Sequence, residues 1–109
     1  MSGSKGRGKT RTEKTARSAG ASPNKRACVV DPNCLEDLQW WAEHDARVAR
    51  KALSLMEYAL RDPFDGPGKP EPLKGLVPNS WSRRLTSEHR LVYVVFDDRI
   101  NFVQARYHY

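Results

Sequence analysis

Cleaving a phosphodiester without a metal takes three kinds of group: a base for a hydroxyl proton, an acid for the departing oxygen, and cations for the charge that grows on phosphorus. The second half of this 109-residue chain carries candidates for each. Glu71 is a candidate base, His108 a candidate acid, and Arg84, Arg90 and Lys74 a candidate phosphate clamp, with Lys69 and Arg83 as further phosphate-binding cations. A guanidinium presents a planar fork of donors that matches phosphate oxygens, so this cation-rich setting points to a phosphate-bearing substrate. RNA is the first candidate, because its 2′-hydroxyl supplies the nucleophile.

The elements must hold these groups still. Glu71 lies between Pro70 and Pro72 in a segment, 63–72, that holds four of the chain's seven prolines. Proline fixes its own φ and restricts the residue before it, so Glu71 is expected to be displayed on a stiff, extended loop. From Trp81 onward the apolar pattern has a period of two, which predicts three strands: from Trp81, from His89, and from Ile100 through Tyr109. Thr86-Ser87-Glu88 and Asp97-Asp98-Arg99 are the expected turns. Chain ends usually fray; a β-patterned segment running to His108 and Tyr109 makes the terminus part of the site. Alternation would place Gln104, Arg106 and His108 on one face and Ala105, Tyr107 and Tyr109 on the other.

Upstream, Ala27-Cys28-Val29-Val30 is a short strand candidate. Asp31-Pro32 is a helix start signal, and Leu35, Leu38, Trp41 and Ala42 give helical spacing over about 32–43. Asp45 can cap a second helix with Val48, Ala52, Leu55, Met56 and Ala59 as its apolar stripe and Arg47, Arg50, Lys51 and Arg61 on its wet side; Pro63 stops it. Trp40 and Trp41 are adjacent and cannot both point into one core, so the outward one is read as half-buried structure. The order β-α-α-β-β-β predicts a compact α+β fold, an antiparallel sheet with two N-terminal helices packed on one face.

Charge is unevenly distributed. Residues 1–26 hold eight Lys/Arg against one acid, 27–66 eight acids against four bases, and 67–109 seven bases against four acids. Residues 1–25 have no aromatic, Leu, Ile or Val, so they are read as a disordered basic extension ahead of one domain at 26–109. Such an arm attracts nucleic acid weakly, solubilises, or reflects a start codon placed upstream of the true one. The basic 67–109 portion is expected to face a polyanion. No apolar stretch is long enough to span a membrane and no apolar run follows the basic start, which fits a cytoplasmic protein. Cys28 and Cys34 form no C-x-x-C and have no histidine at metal-ligand spacing, so neither a metal nor another cofactor is expected.

Gly-Lys-Pro-Glu-Pro-Leu-Lys (68–74), Trp-Ser-Arg-Arg-Leu-Thr (81–86), Glu-His-Arg-Leu-Val-Tyr (88–93) and Arg-Tyr-His-Tyr (106–109), in this order and spacing, resemble the YoeB/Txe family of bacterial toxins, RelE-like mRNA interferases. The resemblance covers about residues 26–109, by motif in the second half and by pattern in the first. It implies a RelE/ParE-like fold and a toxin of a type II toxin-antitoxin system. The implied activity is that of an endoribonuclease that cuts mRNA in the ribosomal A site, with no metal. The implied partners are mRNA, the ribosome and its RNA, a YefM-like antitoxin, and a second copy in a homodimer.

By motif position it places the base on Glu71, the acid on His108, the phosphate-stabilising arginines on Arg84 and Arg90, a terminal tyrosine on Tyr109 and a loop lysine on Lys74. Glu88 is expected to orient His108 or Arg90, and His89 to be structural. Two alternatives share the fold: a ParE-like gyrase-inhibiting toxin without the acid/base set, and a non-catalytic RNA- or ribosome-binding module.

Overall fold

Pro32 starts the first helix where the sequence places it. The computed structural model describes residues 25–107, with β1 (Ala27–Val30), α1 (Pro32–His44), α2 (Ala46–Arg61), β2 (Glu71–Pro72), β3 (Ser80–Arg84), β4 (Arg90–Val95) and β5 (Arg99–Gln104). The basic extension read over 1–25 lies, but for Lys25, outside the described residues, as do His108 and Tyr109.

Asp45 both ends α1 and starts α2. Its N–H donates to the Trp41 carbonyl at 2.7 Å, and its side chain accepts from the Arg47 N–H at 3.2 Å. The stripe Ala49, Ala52, Leu55, Met56 and Ala59 of α2 is buried, with Val48 half-buried beside it. On α1 the buried residues are Cys34 and Trp41, whereas Leu35 is 56% exposed and Ala42 also faces out. The inward stripe of α1 is therefore rotated by about one position from the expected one.

Strand order is β1-β5-β4-β3-β2. The β3–β4 and β4–β5 pairs are antiparallel, as expected, but β1 joins β5 in parallel, so the sheet is mixed. After the helices cross one face, the chain reverses at each step from β2 to β5, and β5 arrives running in the direction of β1. A further difference is β2, a two-residue edge strand within the proline loop, with Glu71 opposite Ser82 and Pro72 opposite Trp81.

The helices cover the face formed by Leu85, Leu91, Tyr93, Val95, Ile100 and Phe102. Strand parity puts Arg83 on that same face, and Arg83 is fully buried. Its guanidinium donates to the carbonyls of Pro67 (2.9 Å), Asp62 (2.6 Å) and Asp65 (3.0 Å), and Nε donates to the Tyr93 hydroxyl (3.0 Å). This corrects the reading of Arg83 as a phosphate contact: its donors are spent on the 62–67 backbone.

β5 stops at Gln104 rather than continuing to Tyr109. The Ala105 N–H donates to Asp37 Oδ2 (2.9 Å) and the Ala105 carbonyl accepts from Trp41 Nε1 (2.8 Å), so α1 takes the backbone groups that would extend the ladder. Arg106 accordingly leaves the Gln104 face and stacks over Trp40, 3.7 Å from the ring centroid. Cys28 is exposed and Cys34 buried; burial, then the charges of Asp37 and Asp31, push the Cys34 thiol up to about 12. Among the described residues no group of three or more His, Cys, Asp or Glu is placed to hold a metal, and no helix is long and apolar enough to cross a membrane.

Candidate active site

The site begins with the anchored loop. Arg83 fixes residues 62–67 from below, and the chain then passes Gly68 in a left-handed conformation, φ +87°. The Gly68 carbonyl accepts from the Arg84 N–H at 2.7 Å, and the Leu73 N–H donates to the Ser80 carbonyl at 2.8 Å. These two bonds bracket Glu71 and hold β2 on the edge of β3. Backbone pairing thus adds to proline stiffness in setting the position of the carboxylate.

Glu71 Oε1 lies 3.7 Å from Arg90 Nη1, an ion pair longer than a hydrogen bond. The Glu71 side chain is 54% exposed and that of Arg90 24%. Arg84 is the cross-strand partner of Arg90, and Ser82 is the partner of both Glu71 and Val92. By parity with the inward Arg83, the residues Glu71, Ser82, Arg84 and Arg90 share the sheet face turned away from the helices. On this face Ser82 Oγ, Arg90 Nη1 and Asn101 Oδ1 are buried yet have no hydrogen-bond partner among the described residues. Buried polar atoms are nearly always paired, so a cluster of open ones beside an arginine pair suits a polar, anionic ligand.

Other predicted residues are placed less tightly. Lys74 is exposed on a shallow groove of about 370 Å³ that it lines with Pro72, Leu73 and Leu76. Lys69 is exposed with φ 51°, two residues before Glu71. Glu88 is exposed and makes no ion pair among the described residues; the carboxylate beside Arg90 is that of Glu71. His89 is structural: its ring meets Trp41 edge-on at 4.9 Å, and Nδ1 accepts from the Tyr107 N–H at 2.6 Å.

His108 and Tyr109 lie outside the described residues, but the residue before them is held at the site, because the Arg90 N–H donates to the Tyr107 carbonyl at 3.0 Å. The sequence reading missed Asp37 and Trp41 as contacts of Ala105, and Ser82 and Asn101 as open polar groups. Only strand parity carries a trace of the last two.

The mixed five-stranded sheet under two helices, with a carboxylate and two arginines on its open face, is the RelE-like toxin scaffold. Residues 30–109 match the model of the YoeB-like toxin of bacterial type II toxin-antitoxin systems, and the chain belongs to that family. It is 46% identical over 84 residues to Toxin RelK of Mycobacterium tuberculosis, covering 77% of this chain and 99% of that protein. It is similar to the YoeB/ParE toxin from Agrobacterium tumefaciens, at 44% identity and a TM-score of 0.72 over 76% of this chain and 99% of that one. The YoeB-YefM complex from Staphylococcus aureus contains a chain 32% identical to it, with a TM-score of 0.68 over 78% of this chain and 99% of that one.

Proposed function

We propose that the protein is a ribosome-dependent endoribonuclease that cuts mRNA in the A site by metal-independent acid/base transesterification. The observation that carries this reading is the Glu71–Arg90 pair at 3.7 Å on the open sheet face, with Arg84 directly across the strand pair from Arg90. Glu71 takes the 2′-hydroxyl proton, and the 2′-oxygen attacks the adjacent phosphorus. Arg90 and Arg84 hold the charge that accumulates on the phosphoryl oxygens, an interaction strengthened as that charge grows. The P–O5′ bond breaks, and His108 protonates the departing oxygen, leaving a 2′,3′-cyclic phosphate and a 5′-hydroxyl. Tyr109 lies beside His108 in sequence and is assigned to the same end of the site, while Lys74 and Lys69 contact phosphates flanking the cut.

The partners follow from the family. A YefM-like antitoxin neutralises the toxin, as the Staphylococcus aureus YoeB-YefM assembly supports, and a homodimer is supported by the YoeB dimer from the same organism.

The test is to add the protein to ribosomes programmed with a defined mRNA and, separately, to that mRNA alone. The reading expects cleavage at the A-site codon with ribosomes only, and a 5′-hydroxyl on the downstream fragment. Glu71→Gln and His108→Ala are each expected to lower single-turnover cleavage by about a hundredfold or more. Cleavage in neither tube, or full activity in either variant, overturns the reading or the corresponding assignment.

A further inference from the structure

The residues just before His108 are gripped from four directions. Ala105 gives its N–H to Asp37 Oδ2 at 2.9 Å and receives Trp41 Nε1–H at its carbonyl at 2.8 Å. Arg106 lies flat over Trp40 at 3.7 Å, and Trp40 in turn stacks on His44 with ring centroids 4.0 Å apart and planes 12° from parallel. Tyr107 donates its N–H to His89 Nδ1 at 2.6 Å and accepts the Arg90 N–H at 3.0 Å. Tyr107 also adopts φ +64°, a left-handed conformation that a tyrosine rarely takes. Both its backbone groups are spent in holding that turn.

These contacts exceed what keeping a strand end in place requires. A segment at the end of a sheet would otherwise continue the ladder or fray. Here α1 withdraws Ala105 from the ladder, and β4 receives Tyr107 through His89 and Arg90. Arg90 is also the ion-pair partner of Glu71, 3.7 Å away. The bond from its own backbone therefore ties the start of the His108 segment to the same residue whose side chain meets the candidate base.

We propose that Asp37 and Trp41 of α1, with His89 of β4's approach, are positioning residues that act through Ala105 and Tyr107 to set His108 against the scissile phosphate. This rests on the ribonuclease reading above. None of the three touches the reacting atoms. A loss of about 1 Å in placement of a catalytic group costs on the order of a hundredfold in rate, so the grip acts on the chemical step and not on ribosome binding.

The experiment compares full-length wild type with Asp37→Ala, Asp37→Asn, Trp41→Phe, His89→Leu and His89→Asn on programmed ribosomes. Single-turnover cleavage and ribosome affinity are measured separately, below the melting temperature of every variant. Asp37→Ala, Trp41→Phe and His89→Leu are expected to cleave at least about tenfold more slowly with affinity within about twofold of wild type. Asp37→Asn and His89→Asn keep an acceptor and are expected to return to within about threefold.

Ala52→Gly, a destabilising change in buried α2, is the control and should leave cleavage unchanged once folded. Wild-type rates in the three disrupting variants, or an equal loss in Ala52→Gly, overturn the proposal. A second readout is independent of cleavage: amide exchange at Ala105 and Tyr107 should quicken in Asp37→Ala and His89→Leu while core amides of β4 keep their protection. If wild type itself does not cut, the ribonuclease reading falls, and the grip is then decided by the exchange result alone.

Discussion

At the scale of single residues, Arg83 shows how far chemistry and residue type can diverge. An arginine in an Arg-Arg pair on a strand reads as a phosphate clamp, yet neighbours on a strand face opposite sides. Arg84 takes the open face, and Arg83 is driven into the core. A buried guanidinium is tolerable only if its donors are met, and here they meet three carbonyls and the Tyr93 hydroxyl. Tyr93 passes the network on, donating to the Pro63 carbonyl at 2.7 Å; burial raises its phenol, which keeps that proton in place.

Tyr93→Phe should cost about 1–3 kcal/mol, since it leaves a carbonyl and an Nε–H unmet. Arg83→Met should cost more, about 3 kcal/mol or above. Because the two share a bond, the double variant should lose less than the sum of the singles. Urea unfolding midpoints decide it, and full additivity would mean that the two side chains act separately.

At the scale of elements, the helices, the turns between β3, β4 and β5, and the stiff display of Glu71 were legible from periodicity and proline. The parallel β1–β5 pairing and the end of β5 at Gln104 were not, because both depend on contacts 60 or more residues apart, such as Ala105 with Asp37 and Trp41. Local pattern carries no information on such pairs. The loop from α2 to β2 is intermediate: its prolines announce stiffness, but its path is set by Arg83 and by Gly68.

A Cβ at Gly68 would stand 3.1 Å from Arg83 Cβ, 3.2 Å from Leu55 Cδ2 and 3.4 Å from the Arg84 carbonyl oxygen, on a backbone with φ +87°. Gly68→Ala should therefore destabilise the fold by about 1–3 kcal/mol from strain and crowding. It should also slow cleavage by displacing Glu71, which is held through the Gly68–Arg84 bond. Gly75, whose Cβ would meet nothing within 4 Å, is the matched control with a similar φ of +80°. The expectation is that Gly75→Ala loses stability from φ alone and retains its rate; equal rates in the two variants would show that the loop does not aim the carboxylate.

At the scale of the whole molecule, the formal excess of bases in residues 67–109 overstates the charge that a polyanion would meet. Of its seven bases, Arg83 is buried and spent on carbonyls. Arg99 is held by Asp98 at 2.8 Å and lies 4.0 Å over the Phe96 ring at the β4–β5 turn. Arg106 lies on Trp40. The cations left to the open face and its flank are Arg84, Arg90, Lys69 and Lys74, and Arg90 shares its charge with Glu71.

Binding to ribosomal RNA and mRNA should then fall with salt as a few phosphate contacts would dictate, rather than as the net charge of +6 suggests. Arg84→Ala should reduce the slope of log affinity against log salt by about one. Arg99→Ala should leave that slope unchanged, although it removes the same formal charge. Titration of programmed ribosomes across a salt series separates the two. A slope that drops equally in both variants would mean that the protein is attracted as a diffuse cation, and that the open face of the sheet has no special claim on phosphate.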